Sequence, residues 1–284
     1  MYVVAGVTGH VGSIVANQLL DKECRVRVIV RDEKKGEPFA KRGAEVSTGS
    51  LDDEAFLTRA LNGATGFFTL LPPNMAAQDV YAYQCAAADA IAGAVGAAKV
   101  PHVVLLSSIG ADLESGTGPI KGLHYLEGAL RRTGTVVTAI RAGMFQENVG
   151  GSVRAAKTQG KLFSFMPSAD IAMPMIATRD IGMLAAEQLV AGAKKSEIID
   201  LQGPAYSQRQ VATVLGTALG KKLEIVDVPQ NGWLDAMMKS GLPKPIAESY
   251  AEMYTGFGSG KVRPRGDRLL KGKTTLDEVI NTIV

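Results

Sequence analysis

Short runs of β-branched and aromatic residues alternate along the chain with longer stretches in which apolar positions recur every three or four residues. The runs at 2–5, 26–30, 45–48, 66–71, 102–106 and 136–140 predict strands, and the stretches near 11–20, 53–61, 76–98 and 118–132 predict helices between them. Strands separated by helical crossovers pair in parallel, and such strands read as continuous apolar runs because both of their faces are covered. After about residue 148 the texture shifts to shorter elements. A helix near 149–158 precedes Phe163-Ser164-Phe165, and a further helix runs to Val190 with Thr178 or Arg179 as its cap and Asp180 in its first turn. Strands at 197–201 and 222–226 and helices at 207–219, 230–240 and 244–257 follow, with no internal repeat.

The first strand stops at Gly6-Val7-Thr8-Gly9-His10-Val11-Gly12 and leads directly into the helical pattern Ser13-Ile14-Val15-Ala16-Asn17-Gln18-Leu19-Leu20. A strand, a glycine turn and a helix form a dinucleotide pyrophosphate site. One glycine serves the turn, one lets the backbone reach a phosphate, and one lets the helix pack closely. The helix start offers free N–H groups and the positive end of its dipole. Three spaced glycines alone are a weak signal, but here a strand precedes them, a helix follows, and a second strand comes about 20 residues later. The expected class is therefore α/β, a Rossmann-type doubly wound parallel sheet over residues 1–148. A smaller C-terminal α/β substrate-binding lobe is expected over 149–284, its chain partly interleaved with the first domain.

Ligands of such sheets sit beyond the carboxyl ends of the strands. The second strand ends in Arg31-Asp32-Glu33-Lys34-Lys35. An acid at this point bonds a ribose 2′-hydroxyl, whereas an arginine accommodates a 2′-phosphate. Arg31 argues for NADP(H), with Lys34 or Lys35 as a second cation. Asp32 pulls the other way, and the whole run also reads as a solvated loop. Gly6, Thr8, Gly9, His10, Val11, Gly12 and Arg31 are the expected phosphate contacts. Leu70, Leu71 and Ser107 are the expected walls of the nicotinamide.

Composition narrows the chemistry. The 284 residues, 46% of them hydrophobic, suffice for one large domain and an appended lobe. Cys24 and Cys85 cannot form a disulfide framework and read as small buried hydrophobes in a reducing compartment. The chain opens directly on a strand, and its longest apolar region, 86–100, is broken by Asp89, so a soluble cytoplasmic protein without a membrane partner is expected. The net charge of +3 is local: residues 261–273 hold Lys261, Arg263, Arg265, Arg268, Lys271 and Lys273 against Asp267 alone. That run reads as a solvated loop or a docking point for something acidic, not as the broad basic face of a nucleic-acid binder. His10, His102 and His124 lack metal-ligand spacing, and neither a Gly-x-Ser-x-Gly elbow nor a Gly-Lys-Ser/Thr phosphate loop is found. With no nucleophile or metal, hydride transfer from a nicotinamide is the natural reaction.

Several segments in order carry a family likeness: the glycine turn, Arg31, Val104-Leu105-Leu106-Ser107-Ser108, Arg141-Ala142-Gly143-Met144-Phe145-Gln146-Glu147-Asn148, Thr178-Arg179-Asp180-Ile181-Gly182, Leu201-Gln202-Gly203-Pro204 and Gly272-Lys273-Thr274-Thr275-Leu276-Asp277-Glu278-Val279. Over nearly its whole length the chain resembles the NmrA-like group of atypical short-chain dehydrogenases/reductases. The resemblance implies the fold and the NADP(H) cofactor. It leaves the reaction open, because members include NADPH-dependent quinone and dye reductases as well as NADP-sensing regulators with no known reaction.

Two departures matter. None of Tyr2, Tyr81, Tyr83, Tyr125, Tyr206, Tyr250 and Tyr254 has a lysine four positions on, so the Tyr-x-x-x-Lys acid/base pair of the wider superfamily is absent. Reductases of the family often carry a histidine on the corresponding helix, which makes His124, then Tyr125 and Lys121, the candidate catalytic residues, unless they are core or surface residues. Gly49-Ser50-Leu51-Asp52 has Ser50 where the family more often has an acid, which leaves the adenine contact to Ser50, with Leu51 beside it, or to Asp52. Ser107 and Ser108 are either donors to cofactor or substrate or satisfy their own loop. Ser108, Phe145, Gln146 and Asn148 are expected on the substrate side, although Phe145 also reads as core, and Trp233 as lobe packing. The expected activity is an NADPH-dependent oxidoreductase acting on a quinone-like or other conjugated small-molecule electron acceptor, which takes hydride with little proton help. The alternative is a non-catalytic NADP(H)-sensing regulatory protein that binds a protein partner. Sugar epimerisation is disfavoured without the tyrosine, no metal is expected, and association as a homodimer stays open.

Overall fold

Apolar residues of each central strand point alternately to two covered faces, and the fold follows from that alternation. A computed structural model describes all 284 residues. Its first half comprises β1 (Tyr2–Val4), α1 (His10–Asp21), β2 (Val26–Val30), α2 (Glu37–Ala40), β3 (Glu45–Thr48), α3 (Glu54–Leu61), β4 (Gly66–Thr69), α4 (Val80–Ala97), β5 (His102–Ser108), α5 (Ile120–Arg132) and β6 (Val136–Ala142). There follow β7 (Met144–Phe145), α6 (Gly150–Gln159), β8 (Lys161–Ser164), β9 (Met173–Ile176), α7 (Thr178–Ala191), β10 (Glu197–Gln202), β11 (Ala205–Tyr206), α8 (Gln208–Ala218) and β12 (Glu224–Asp227). The chain ends with α9 (Trp233–Lys239), α10 (Lys244–Gly258), β13 (Arg268–Lys271) and α11 (Leu276–Ile283).

Eight strands form one sheet in the order β3-β2-β1-β4-β5-β6-β10-β13, every neighbouring pair parallel. Strand order reverses between β1 and β4, so the crevice for a ligand opens above those two strand ends. Phe67 and Phe68 are both fully buried, but Phe67 joins Leu57, Ile91, Leu105 and Leu126 under α3, α4 and α5, whereas Phe68 joins Val15, Leu19, Ile140 and Leu189 under α1 and α7. Each such ring contributes about 1.5–3 kcal/mol by leaving water. Around the lobe, β12 pairs with β8, β11 and β7 flank β9, and α11 packs on α8 over a separate apolar cluster that includes Leu162, Leu215 and Ile280. Trp233 is buried in the lobe, its Nε1–H donating to the Val228 carbonyl at 2.8 Å.

Strands from the second half enter the sheet, and two sequence expectations change. The sheet takes β10 and β13 from beyond residue 148, with Asp200 of β10 in register with Arg141 of β6. The basic run is not a free loop: Arg268 begins the edge strand β13 and pairs with Glu197 at 2.7 Å. Neither Thr178 nor Arg179 is the cap of α7. The cap position is Ala177, and Glu147 supplies the missing oxygens, accepting from the Thr178 N–H at 2.9 Å and its hydroxyl at 2.6 Å. No helix is long and apolar enough to cross a membrane.

Candidate active site

The glycine turn follows β1 on the crevice side. Gly6 has φ +67, in the left-handed region that favours glycine, and a Cβ there would stand 2.5 Å from Leu70 Cδ2. A Cβ on Gly12 would lie 2.3 Å from the Gly6 carbonyl oxygen and 2.7 Å from that of Ala5, so the first turn of α1 packs against backbone that cannot yield. Gly9 differs. Its backbone is extended, φ −102 and ψ 173, and a Cβ would approach the Gly6 oxygen only to 3.4 Å. Nothing in the fold itself demands glycine at this position; the missing side chain leaves space above the turn. Thr8, Gly9 and His10 are exposed, while Val11 and Gly12 are buried and can offer only backbone N–H groups. The start of α1 has no side-chain cap and no acid in its first turn. Such an end suits a phosphate.

At the tip of β2, Arg31 is exposed and takes part in no ion pair. Asp32 turns its carboxylate back on the chain, where Oδ1 accepts from the Lys34 N–H at 3.1 Å and caps the short turn Glu33–Gly36. One oxygen of the acid that competes with Arg31 in the sequence is thereby engaged by its own chain. Lys34 and Lys35 are exposed. Ser50 is half-buried, but Leu51 belongs to the core beside Leu57, so its side chain is not a cofactor contact. Tyr83, half-buried on α4, escaped the sequence reading. Burial pushes its phenol above the ordinary value, Asp52 pushes the same way, and Arg31 opposes them.

On the other side of the switch point, side chains bond to one another. Leu70 packs on the glycine turn, whereas Leu71 leans on the opposite apolar cluster. Ser107 is buried and donates its hydroxyl hydrogen to Glu127 Oε1 at 2.7 Å, so that hydrogen is not available to a ligand. Glu127 of α5 is held by Arg141, whose Nε and Nη2 reach its two oxygens at 2.9 and 2.7 Å. Burial works against the Arg141 charge, but Glu127, Asp112 and Asp200 outweigh it and hold the guanidinium ionised. Burial also pushes the Asp200 carboxyl up, against the pull of the Gly266 and Arg265 N–H groups and Arg141. Ser108 donates locally to the Ile109 carbonyl at 3.1 Å.

Gln146 is fully buried and donates to the carbonyls of Met175 and Thr274, which makes it a clamp between β9 and the C-terminal segment and removes it from the substrate side. Phe145 is half-buried against the α1 and α7 cluster, and Asn148 is exposed. The three α5 candidates diverge. Lys121 pairs with Glu252 of α10 at 3.0 Å, and Tyr125 donates to Asp89 of α4 at 2.9 Å, so both are turned to neighbouring helices. The hydrogen bond to Asp89 and its negative charge raise the Tyr125 phenol above its ordinary value. His124 alone faces the loop after β5, its Nδ1 lying 2.9 Å from the Ala111 carbonyl oxygen.

Residues 2–280 match the model of the NmrA-like family. The chain belongs to that family. Quinone oxidoreductase 2 of Escherichia coli (strain K12) is 27% identical to this NmrA-like protein over 268 residues, 92% of this chain and 89% of that one. Among solved structures, the Citrobacter sp. triphenylmethane reductase complexed with NADP(H) superposes with a TM-score of 0.84 at 22% identity, covering 100% of both chains. The NADPH-dependent quinone oxidoreductase from Escherichia coli complexed with NADPH gives 0.83 at 23%, covering 100% of this chain and 99% of that one. The matches support the doubly wound parallel fold throughout. Within it, the NmrA-like protein pairs an uncapped helix start with a free guanidinium, a fit for a dinucleotide bearing an extra phosphate.

Proposed function

We propose that this NmrA-like protein is an NADPH-dependent oxidoreductase that passes hydride to a quinone-like or other conjugated small molecule. The observation that carries the reading is the free Arg31 at the tip of β2, with Asp32 Oδ1 turned back as a cap, beside the open turn at Gly9. The α1 N-terminus and the turn hold the diphosphate, Arg31 takes the 2′-phosphate, and Leu70 walls the crevice. Bound NADPH supplies the hydride, and the acceptor supplies the electron-poor carbon. The relatives named as quinone and triphenylmethane reductases support this acceptor class.

Among the α5 residues, His124 is the one free to move a proton. A carbonyl oxygen only accepts, so Nδ1 carries the hydrogen toward Ala111, and Nε2 takes up a proton from solvent and hands it to the acceptor as the acceptor receives hydride. Two unbridged cysteines fit the reducing cytoplasm. Calorimetry with NADPH and NADH, followed by turnover on a quinone panel, tests the proposal. NADPH binding with consumption of the nucleotide is expected. Absence of heat with either nucleotide overturns the site, and tight binding without turnover moves the protein to the sensing class. His124→Ala is expected to lower turnover and leave nucleotide affinity unchanged.

A further inference from the structure

The basic run singled out in the sequence has its own task. Residues 260–267 leave α10, cross the loop that follows β5 and enter β13. Two features mark the crossing. A Cβ on Gly110 would stand 3.1 Å from Val262 Cγ1, and Arg265 pairs with Asp112 across 153 residues of sequence. The other oxygen of that carboxylate stands 3.8 Å from Arg141 of β6 and has no hydrogen-bond partner, so Arg265 is the one group that bonds Asp112 directly. Asp200 of β10 is the other charged group in electrostatic reach of it. One residue before Asp112, the Ala111 carbonyl meets His124 Nδ1 at 2.9 Å. The intervening turn is stiff: Ile109 N–H donates to Ala142, Ala111 N–H to Ser108 and Leu113 N–H to Gly110, each at 3.0 Å.

We propose that Arg265, acting through Asp112 and the Ala111 carbonyl, sets the tautomer and the direction of the His124 ring, and is a positioning residue for proton transfer. The proposal rests on the reading of His124 given above, and its chemistry is simple. Free neutral imidazole prefers its proton on Nε2. A fixed carbonyl at Nδ1 reverses that preference and leaves Nε2 as the nitrogen that takes up and passes on a proton. Displacing that carbonyl by about 1 Å would take a 2.9 Å contact out of hydrogen-bonding range. The Arg265 side chain is 35% exposed, so the ion pair adds little stability by itself and acts through geometry.

Nitrogen–proton correlation spectra of the imidazoles test this in the whole protein without nucleotide. Only His10, His102 and His124 contribute, and His124→Gln assigns the third. The wild-type spectrum is expected to show His124 protonated on Nδ1. Arg265→Ala is expected to move it toward the Nε2-protonated or averaged form, and Arg265→Lys to restore most of the wild-type pattern. In turnover, Arg265→Ala is expected to lower kcat about tenfold at unchanged KM for NADPH, since misplacing a reacting group by about 1 Å can cost on the order of a hundredfold. A His124 spectrum untouched by Arg265→Ala overturns the proposal. Should that variant fail to fold, Asp112→Asn carries the same test, because it keeps the shape and removes the charge. If His124→Ala leaves turnover unchanged, the proton-donor reading fails, while the imidazole spectra still decide whether Arg265 sets the ring.

Discussion

At the tips of β1 and β2 the chain presents helix N–H groups without a cap and a guanidinium without a counter-ion, whereas at β5, β6 and β10 carboxylates and guanidinium groups face one another below the surface. The two regions are neighbours on one sheet edge, and both are rich in polar groups. What separates them is whether the protein itself supplies the partners. A charge matched internally is scaffold, because a buried ion needs its partner to offset desolvation. A charge left open at a strand tip is free for a ligand. Sequence composition alone does not distinguish Arg31 from Arg141, yet one side chain stands open and the other is buried and paired.

The largest expected effect comes from breaking the matched region. Arg141→Met leaves Glu127 buried with its main partner gone, and we expect a loss of about 3–5 kcal/mol in chemical denaturation, with NADPH affinity of the remaining folded protein little changed. Gly9→Val probes the open region. It should fold, since the backbone there is extended and little stands near, yet lose at least about a hundredfold in affinity for both nucleotides by calorimetry, roughly 3 kcal/mol. A folded variant with normal affinity would place the phosphate elsewhere.

Arg31→Ala sharpens the comparison further: it should weaken NADPH by about tenfold to a hundredfold through loss of a charge-assisted pair, and leave NADH and thermal stability unchanged. Equal weakening of the two nucleotides would remove Arg31 from the 2′-phosphate. The smallest effect concerns His102, buried at the start of β5, with Nε2 2.9 Å from the Thr138 hydroxyl and Nδ1 unpartnered. Burial lowers its pKa from 6.5, so the neutral form belongs to the fold. Its contribution is fully present above the unfolded value and declines as pH falls below it toward the lowered folded value. Denaturation midpoints between neutral and mildly acidic pH should therefore fall less in His102→Gln than in the wild type.

The elements that could be read in advance are those whose cause is local. Short apolar runs between helical stretches mark β1 to β6, and the turn at Gly6 follows from a backbone conformation that a side chain opposes. Asp79 caps α4 by accepting from the Ala82 N–H at 2.9 Å, which shortens the helix expected from residue 76. What escaped depends on partners far along the chain. Ser107 meets Glu127, Glu147 caps a helix 31 residues on, and Gln146 reaches Thr274. Nearness to a strand end or a helix start points such residues toward a ligand or their own loop, and a partner from another element redirects them. Arg31 and the glycine turn were legible because there the chain offers no such partner.

The interleaving of β10 and β13 with the first half has a mechanical consequence. The first half and the strands β10 and β13 share one continuous sheet and cannot swing apart like a clamshell, so relative movement falls to loops and to the elements carried on the two smaller sheets. Nor would a fragment ending at residue 148 behave as a free-standing module: it would bare the flank of β6 and strip Arg141 of its neighbour Asp200.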